Sequence, residues 1–170
     1  MKLVTEHGMM ITNNCVIDSS VIIKAIFKPK KARYEFEYQK ELETHFNSRY
    51  LLQLIDRTNI TVLIPRCVFV EVSGVSSRLS DPEKAKSIYS EMQVVYSIIP
   101  EDEIFNSALE IALKYGNPGF DNYILATAYK NQCPLFTDDK KVYEISKQIG
   151  IQSYLMRDLS KTWIDNFFAR

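Results

Sequence analysis

The sequence has no closely spaced cysteines, no excess of either charge and no long apolar run, and each absence removes a class of protein. Cys15, Cys67 and Cys133 sit singly within apolar stretches, so neither a disulfide framework nor a close-paired zinc or redox motif is built from them. They read as small core residues. An odd count, with no secretory signal read in the opening residues, makes a reducing cytoplasm the expected location. No uncharged apolar run approaches the ~20 residues of a membrane-spanning helix, and insertion into a membrane is not expected. Lys plus Arg and Asp plus Glu number 21 each; with no overall positive field, any contact to nucleic acid is expected to be local. Histidine is also scarce, and His7 and His45 have no recognisable nucleophile partner, which sets serine and cysteine hydrolysis aside.

What remains is an ordinary globular balance. The 170 residues are 46% hydrophobic and 25% charged, enough apolar material for one domain over residues 1–170 without disulfides or structural metals. Short apolar runs alternate with helix-period segments, the pattern of a three-layer α/β/α sandwich around a mainly parallel sheet. Strands are predicted at Cys15 to Ile17, Thr61 to Ile64, Ser97 to Ile99, Pro134 to Thr137 and Gln152 to Leu155. Helices are predicted over Ser20 to Phe27, Arg66 to Leu79, Glu83 to Val95, Glu101 to Tyr115, Asp121 to Asn131, Lys140 to Gln148 and Asp158 to Phe168. Residues 1–12 precede the first strand as an N-terminal extension, with Met9 or Met10 as a candidate start of the folded part. Between Lys30 and Asn59, Tyr34, Tyr38, Leu42, Phe46 and Tyr50 recur every four residues and predict a long amphipathic helix, a helical insertion whose apolar stripe packs on its own domain or on a partner.

Carboxylates stand at informative places in this pattern. Asp18 follows the apolar run Cys15-Val16-Ile17 and precedes a helix, at the carboxyl edge of a parallel sheet, where open α/β sheets bind ligands. Alone, Asp18 reads equally well as a helix N-cap. Glu71 lies about 60° from the centre of an apolar face made by Val68, Val72, Val75 and Leu79, so it borders the core and needs a partner or a metal. Asp121 falls between the directions of Ile124 and Leu125 and points inward, with N-capping as the competing account. Leu135-Phe136-Thr137-Asp138-Asp139 ends another strand with a hydroxyl and two carboxylates. If these groups converge, two charges ~4 Å apart repel by ~4 kcal/mol at an effective dielectric constant near 20. An all-oxygen set without nearby His or Cys selects a hard cation, Mg²⁺ or Mn²⁺, which can activate water and neutralise charge on a phosphoryl group.

The combination Val16-Ile17-Asp18-Ser19-Ser20, Glu71 on a helix after a proline-ended strand, Gly119-Phe120-Asp121 running into Ile124-Leu125-Ala126-Thr127-Ala128, and Thr137-Asp138-Asp139 resembles the PIN domain, with VapC-type toxins as the nearest branch. The resemblance covers about Cys15 to Leu155. It implies a Mg²⁺- or Mn²⁺-dependent endoribonuclease, often a homodimer and often inhibited by a cognate antitoxin. It also implies Asp18, Glu71, Asp121 and Asp139 as catalytic metal ligands, Asp138 as a substitute ligand or supporting group, and Ser20 and Thr137 as groups that hold ligands or water. The spacing between Asp18 and Glu71 exceeds that of compact VapC-type toxins because of the 30–59 segment.

For RNA phosphates, the basic cluster Lys24, Lys28, Lys30, Lys31 and Arg33 is the candidate, weighed against an ordinary solvated face; Tyr34 and Tyr38 are candidates for base stacking, weighed against core packing. A receiver domain would want paired acids after the first strand, and a haloacid-dehalogenase-like phosphatase would want an acid where Ser20 stands. The alternative from another class is a PIN fold kept as an RNA- or protein-binding scaffold with weak or no catalysis.

Overall fold

The computed structural model describes residues 13–31, 33–117 and 119–169; the predicted extension over residues 1–12, with Met9 and Met10, lies outside them. Five parallel strands form the centre: β1 (Asn14–Ile17), β2 (Thr61–Pro65), β3 (Ser97–Ile99), β4 (Leu135–Thr137) and β5 (Ser153–Leu155), in the spatial order β3-β2-β1-β4-β5. Eight helices are described: α1 (Ser19–Ile26), α2 (Glu35–Ile55), α3 (Arg66–Leu79), α4 (Pro82–Val95), α5 (Glu101–Tyr115), α6 (Asp121–Asn131), α7 (Lys140–Gln148) and α8 (Lys161–Phe168). Contacts link α1 to α4 into one group and α5 to α7 into another. Right-handed crossovers explain the grouping. The chain moves one way along the sheet from β1 to β3 and the opposite way from β3 to β5, so the two groups cover opposite faces. The fold is the expected three-layer α/β/α sandwich.

Parallel strands covered on both faces need unbroken apolar runs, and Cys15, Val16, Ile17, Val62, Ile64, Leu135 and Phe136 are all buried. Pro65 and Pro100 precede α3 and α5, and Pro82 opens α4, where a missing N–H costs little. The free N-terminus of α3 is closed from a distance, since the Glu101 carboxylate accepts from the Cys67 N–H at 2.6 Å. Gly116 ends α5 at φ 60°, a left-handed turn that glycine adopts without a Cβ penalty.

Two expectations differ from the structure. The 30–59 segment does form a long helix, but α2 buries Thr44, His45, Asn47, Ser48, Leu51 and Ile55 instead of the predicted stripe. A repeat of four residues advances about 40° per step on a helix of 3.6 residues per turn, so over the four steps from Tyr34 to Tyr50 the stripe spirals most of the way to the opposite side. Tyr34 and Phe46 are consequently exposed, while Leu51 is fully buried. The last helix, predicted from Asp158, starts three residues later at Lys161 after a 3-10 turn at Met156–Asp158, because the Ser160 hydroxyl caps it by accepting from the Trp163 N–H at 3.2 Å.

Candidate metal centre

The strand order places the site. Neighbours β1 and β4 are joined to the rest of the chain in opposite directions along the sheet, leaving a crevice between their carboxyl ends. Val16 pairs with Leu135 and Ile17 with Phe136, so the next residues, Asp18 and Thr137, meet across the crevice. The Asp18 N–H donates to the Phe136 carbonyl at 3.0 Å, and the Thr137 hydroxyl donates to Asp18 Oδ2 at 2.5 Å.

Asp18 is 3% exposed. Its Oδ1 accepts from the Ser19 hydroxyl at 3.1 Å and, at 3.5 Å, from the Ser20 N–H; Oδ2 accepts from the Ser20 hydroxyl at 2.7 Å as well as from Thr137. Burial pushes its pKa up, and the three hydroxyls oppose the shift by stabilising the ionised form. The N-cap role is present but weak, because the only capping bond is the long one to Ser20. Asp18 is aimed by hydroxyls and buried among core strands.

Glu71 reaches the site from α3, half-buried as its helical phase requires. Its pKa is raised first by burial and then by the charges of Asp18 and Asp139, against hydrogen bonding to the Ser19 hydroxyl. A hydroxyl has one hydrogen to give, and that of Ser19 goes to Asp18 at 3.1 Å.

Asp121 is the first residue of α6, yet it does not cap that helix: Phe120 holds the cap position and no side chain closes it. Its carboxylate accepts instead from the Asn117 amide at 3.4 Å. Burial, followed by the charges of Asp18, Asp139 and Glu71, pushes the Asp121 carboxyl up to about 6. Asp139 sits at the exposed rim and does cap α7, with Oδ1 accepting from the N–H groups of Lys141 and Val142 at 2.7 and 3.0 Å. Both bonds go to the same oxygen, and the charge of Asp139 still bears on Glu71 and Asp121. Capping and membership of the acidic set hold together for Asp139.

Asp138 stands apart from this set. Its side chain is fully buried and carries two ion pairs, to Lys24 at 2.6 Å and Arg157 at 2.8 Å. Lys24 also pairs with Glu41 on α2. Of the basic cluster, Lys24 is therefore engaged inside the protein, whereas Lys28, Lys30, Lys31 and Arg33 are exposed. Arg33 lies over the exposed Tyr34 ring, 5.5 Å from its centroid.

Asn117, Asn122 and Arg157 had no sequence signal that marked them, and Ser19 stood in the motif Val16-Ile17-Asp18-Ser19-Ser20 without a role of its own. Asn122 ties the loop before α6, donating to the Asn117 carbonyl at 2.8 Å and the Gly119 carbonyl at 3.3 Å. The buried amide oxygens of Asn117 and Asn122 have no hydrogen-bond partner. Asn117 precedes Asp121 by one helical turn, a spacing that in hindsight is the only hint the sequence offered.

Among the described residues, no three His, Cys, Asp or Glu side chains are gathered closely enough to enclose an ion unaided. The donor chemistry nonetheless fits a divalent cation. The groups are all oxygen, the charges of Asp18 and Asp139 raise the pKa of both Glu71 and Asp121, and the orphaned Asn117 oxygen belongs to the residue that holds Asp121.

No helix among the described residues is long and apolar enough to cross a membrane. No curated protein sequence matches the chain. A family model described as the PIN domain matches residues 15–148, a span that runs from β1 through α7 and takes in all four carboxylates. PIN domains are generally nucleases and typically use divalent metal ions, and the chain belongs to the PIN-domain family.

Proposed function

We propose that this protein is an endoribonuclease that hydrolyses RNA phosphodiester bonds with the help of Mg²⁺ or Mn²⁺. The observation that carries the reading is that Glu71 on α3 and Asp121 on α6, both partly buried, each feel the charges of Asp18 and Asp139. Mutually repelling carboxylates at a crevice are costly to stability and are explained by a cation that function requires.

Asp18, Glu71, Asp121 and Asp139 are the residues that would hold the ion. The bound ion supplies an acidified water and neutralises charge on the phosphoryl oxygens. The protein's own contribution is orientation. Ser19, Ser20 and Thr137 fix the Asp18 carboxylate in one direction, and Asn117 holds Asp121. Lys28, Lys30, Lys31 and Arg33 are exposed beyond the end of α1 and are the proposed phosphate contacts outside the reacting centre. Lys28 and Lys30 line a groove of about 360 Å³ together with Ile23, Phe27 and His45.

A role as the toxin of a toxin–antitoxin pair, working in the cytoplasm and as a homodimer, extends the proposal and draws on the resemblance to VapC-type toxins.

The test is cleavage of structured and single-stranded RNA with Mn²⁺ or Mg²⁺, with and without chelator, comparing wild type with Asp18→Asn and Asp121→Asn. Cleavage that disappears with chelator and in both variants is expected. Metal-independent cutting, or full activity in both variants, would refute the site. Mn²⁺ binding measured alongside separates a catalyst from a scaffold, because a scaffold has no need of an Asp18-dependent ion.

A further inference from the structure

Asp138 follows the hydroxyl that grips Asp18 and precedes a carboxylate of the acidic set, and it is neither solvated nor free to coordinate. An ionised carboxylate has about four acceptor sites. In Asp138 three are filled by Arg157, with Oδ1 accepting from its N–H at 3.0 Å and Nε at 3.1 Å and Oδ2 accepting from Nη2 at 2.8 Å, and the Lys24 ammonium lies 2.6 Å from Oδ2 as an ion pair. Arg157 Nη2 also donates to the Asp138 carbonyl at 2.9 Å. The carboxylate is turned to two flanking cations, which would repel a metal.

The backbone of the same residue is tied into the site. The Asp138 N–H donates to the Ser20 hydroxyl at 3.0 Å, and that hydroxyl donates to Asp18. The Asp139 N–H donates at 2.9 Å to the Thr137 hydroxyl, which also donates to Asp18. The turn Thr137-Asp138-Asp139 is thus stitched to Asp18 on one side and clamped through the Asp138 carboxylate on the other, to α1 by Lys24, to α2 by Glu41 through Lys24, and to the 3-10 turn by Arg157.

We propose that Asp138 is a positioning residue whose carboxylate, clamped by Lys24 and Arg157, fixes the Thr137–Asp139 turn so that Asp139 faces Asp18 across the crevice, and that Lys24 and Arg157 serve this clamp and not the substrate. The inference rests on the metal-site reading above. A partner that orients a metal ligand typically changes metal affinity by about 10–100-fold when removed. A purely structural ion pair changes the melting temperature and leaves the affinity of the folded protein alone.

The experiment is Mn²⁺ binding to the purified full chain by titration calorimetry, with folding monitored by near-ultraviolet circular dichroism. The variants are Asp18→Asn, Asp138→Asn, Arg157→Gln and Lys24→Gln. Asp138→Asn and Arg157→Gln are expected to bind Mn²⁺ about 10–100-fold more weakly while folded. Arg157 is one-third exposed, so its variant keeps the test available if Asp138→Asn does not fold. In RNA cleavage at saturating Mn²⁺, Lys24→Gln is expected to leave KM unchanged. Weakened binding in Asp18→Asn with wild-type affinity in folded Arg157→Gln and Asp138→Asn would overturn this inference alone. Wild-type Mn²⁺ affinity in Asp18→Asn would overturn the site reading and the inference with it. A raised KM in Lys24→Gln with unaltered Mn²⁺ affinity would make Lys24 a substrate contact and refute the clamp.

Discussion

Replacing Asp121 by asparagine should make the metal-free protein more stable at neutral pH, even though it should also abolish the proposed cleavage. The Asp121 carboxyl is pushed from its ordinary 3.8 to about 6, chiefly by burial and then by its three acidic neighbours. At about 1.4 kcal/mol per tenfold change in proton affinity, the ionised form is penalised by about 3 kcal/mol. The side chain is partly open to water, and screening reduces this to about 1–2 kcal/mol. Asparagine keeps the shape and can still accept from the Asn117 amide, so little else is lost. The folded state holds the Asp121 proton more tightly than the unfolded chain. The wild type therefore loses stability as pH rises from about 4 through about 6, and is fully penalised above that window. The asparagine variant has no such dependence at this position. Its advantage should be a few degrees in Tm at pH 7.5, at about 2–4 °C per kcal/mol for a chain of this size, and should shrink as the pH falls towards 4. Thermal unfolding of both proteins in chelator across pH 4 to 8 gives the comparison. A variant less stable than wild type at pH 7.5, or an advantage that does not change with pH, would refute the view that unrelieved charge repulsion and burial strain this site.

Other expectations follow from the same geometry. In Thr137→Val, Asp18 loses a buried donor and the Asp139 N–H loses its acceptor, so urea unfolding should show a loss of about 1–3 kcal/mol; an unchanged midpoint would mean these bonds are not formed in solution. Leu51→Ala, in the buried face of α2, should cost about 2–5 kcal/mol. Phe46→Ser on the exposed face should stay within about 0.5 kcal/mol of wild type, and the reverse order would restore the four-residue stripe as the packing face. Gly116→Ala forces a Cβ into a left-handed turn at φ 60° and should cost about 1 kcal/mol by thermal unfolding.

The parallel sheet was readable because its strands are buried on both faces and so are written as unbroken apolar runs between helix-period segments; Cys15-Val16-Ile17 and Leu135-Phe136-Thr137 left little else to form. Glu71 and Asp121 were legible for a related reason, since helical phase turns a carboxylate towards apolar neighbours whatever the tertiary fold. The packing face of α2 was not, because it is largely polar: Thr44, His45, Asn47 and Ser48 are buried by what surrounds them, with His45 Nδ1 satisfied by the Lys24 carbonyl at 2.6 Å. The division of labour between Asp138 and Asp139 was equally hidden. Adjacent identical residues carry no period, and only the position of Arg157, distant in sequence and next to the last strand, assigns one to the clamp and the other to the acidic set. Asn117 is of the same kind, a loop residue whose role depends on where the loop is folded.

The order of the strands has a further consequence for how the protein breathes. Both strands that end at the crevice are interior, β1 between β2 and β4 and β4 between β1 and β5, and the edges are the three-residue β3 and β5. Edges open first in local fluctuations, whereas doubly flanked strands open only when most of the sheet does. The amides of Val16 and Asp18, bonded to Pro134 and Phe136 carbonyls at 2.8 and 3.0 Å, should then be among the slowest to exchange with deuterated water. Sequence change in β3 would leave the crevice undisturbed, whereas molecules frayed at β5 would loosen the Arg157 clamp that follows it.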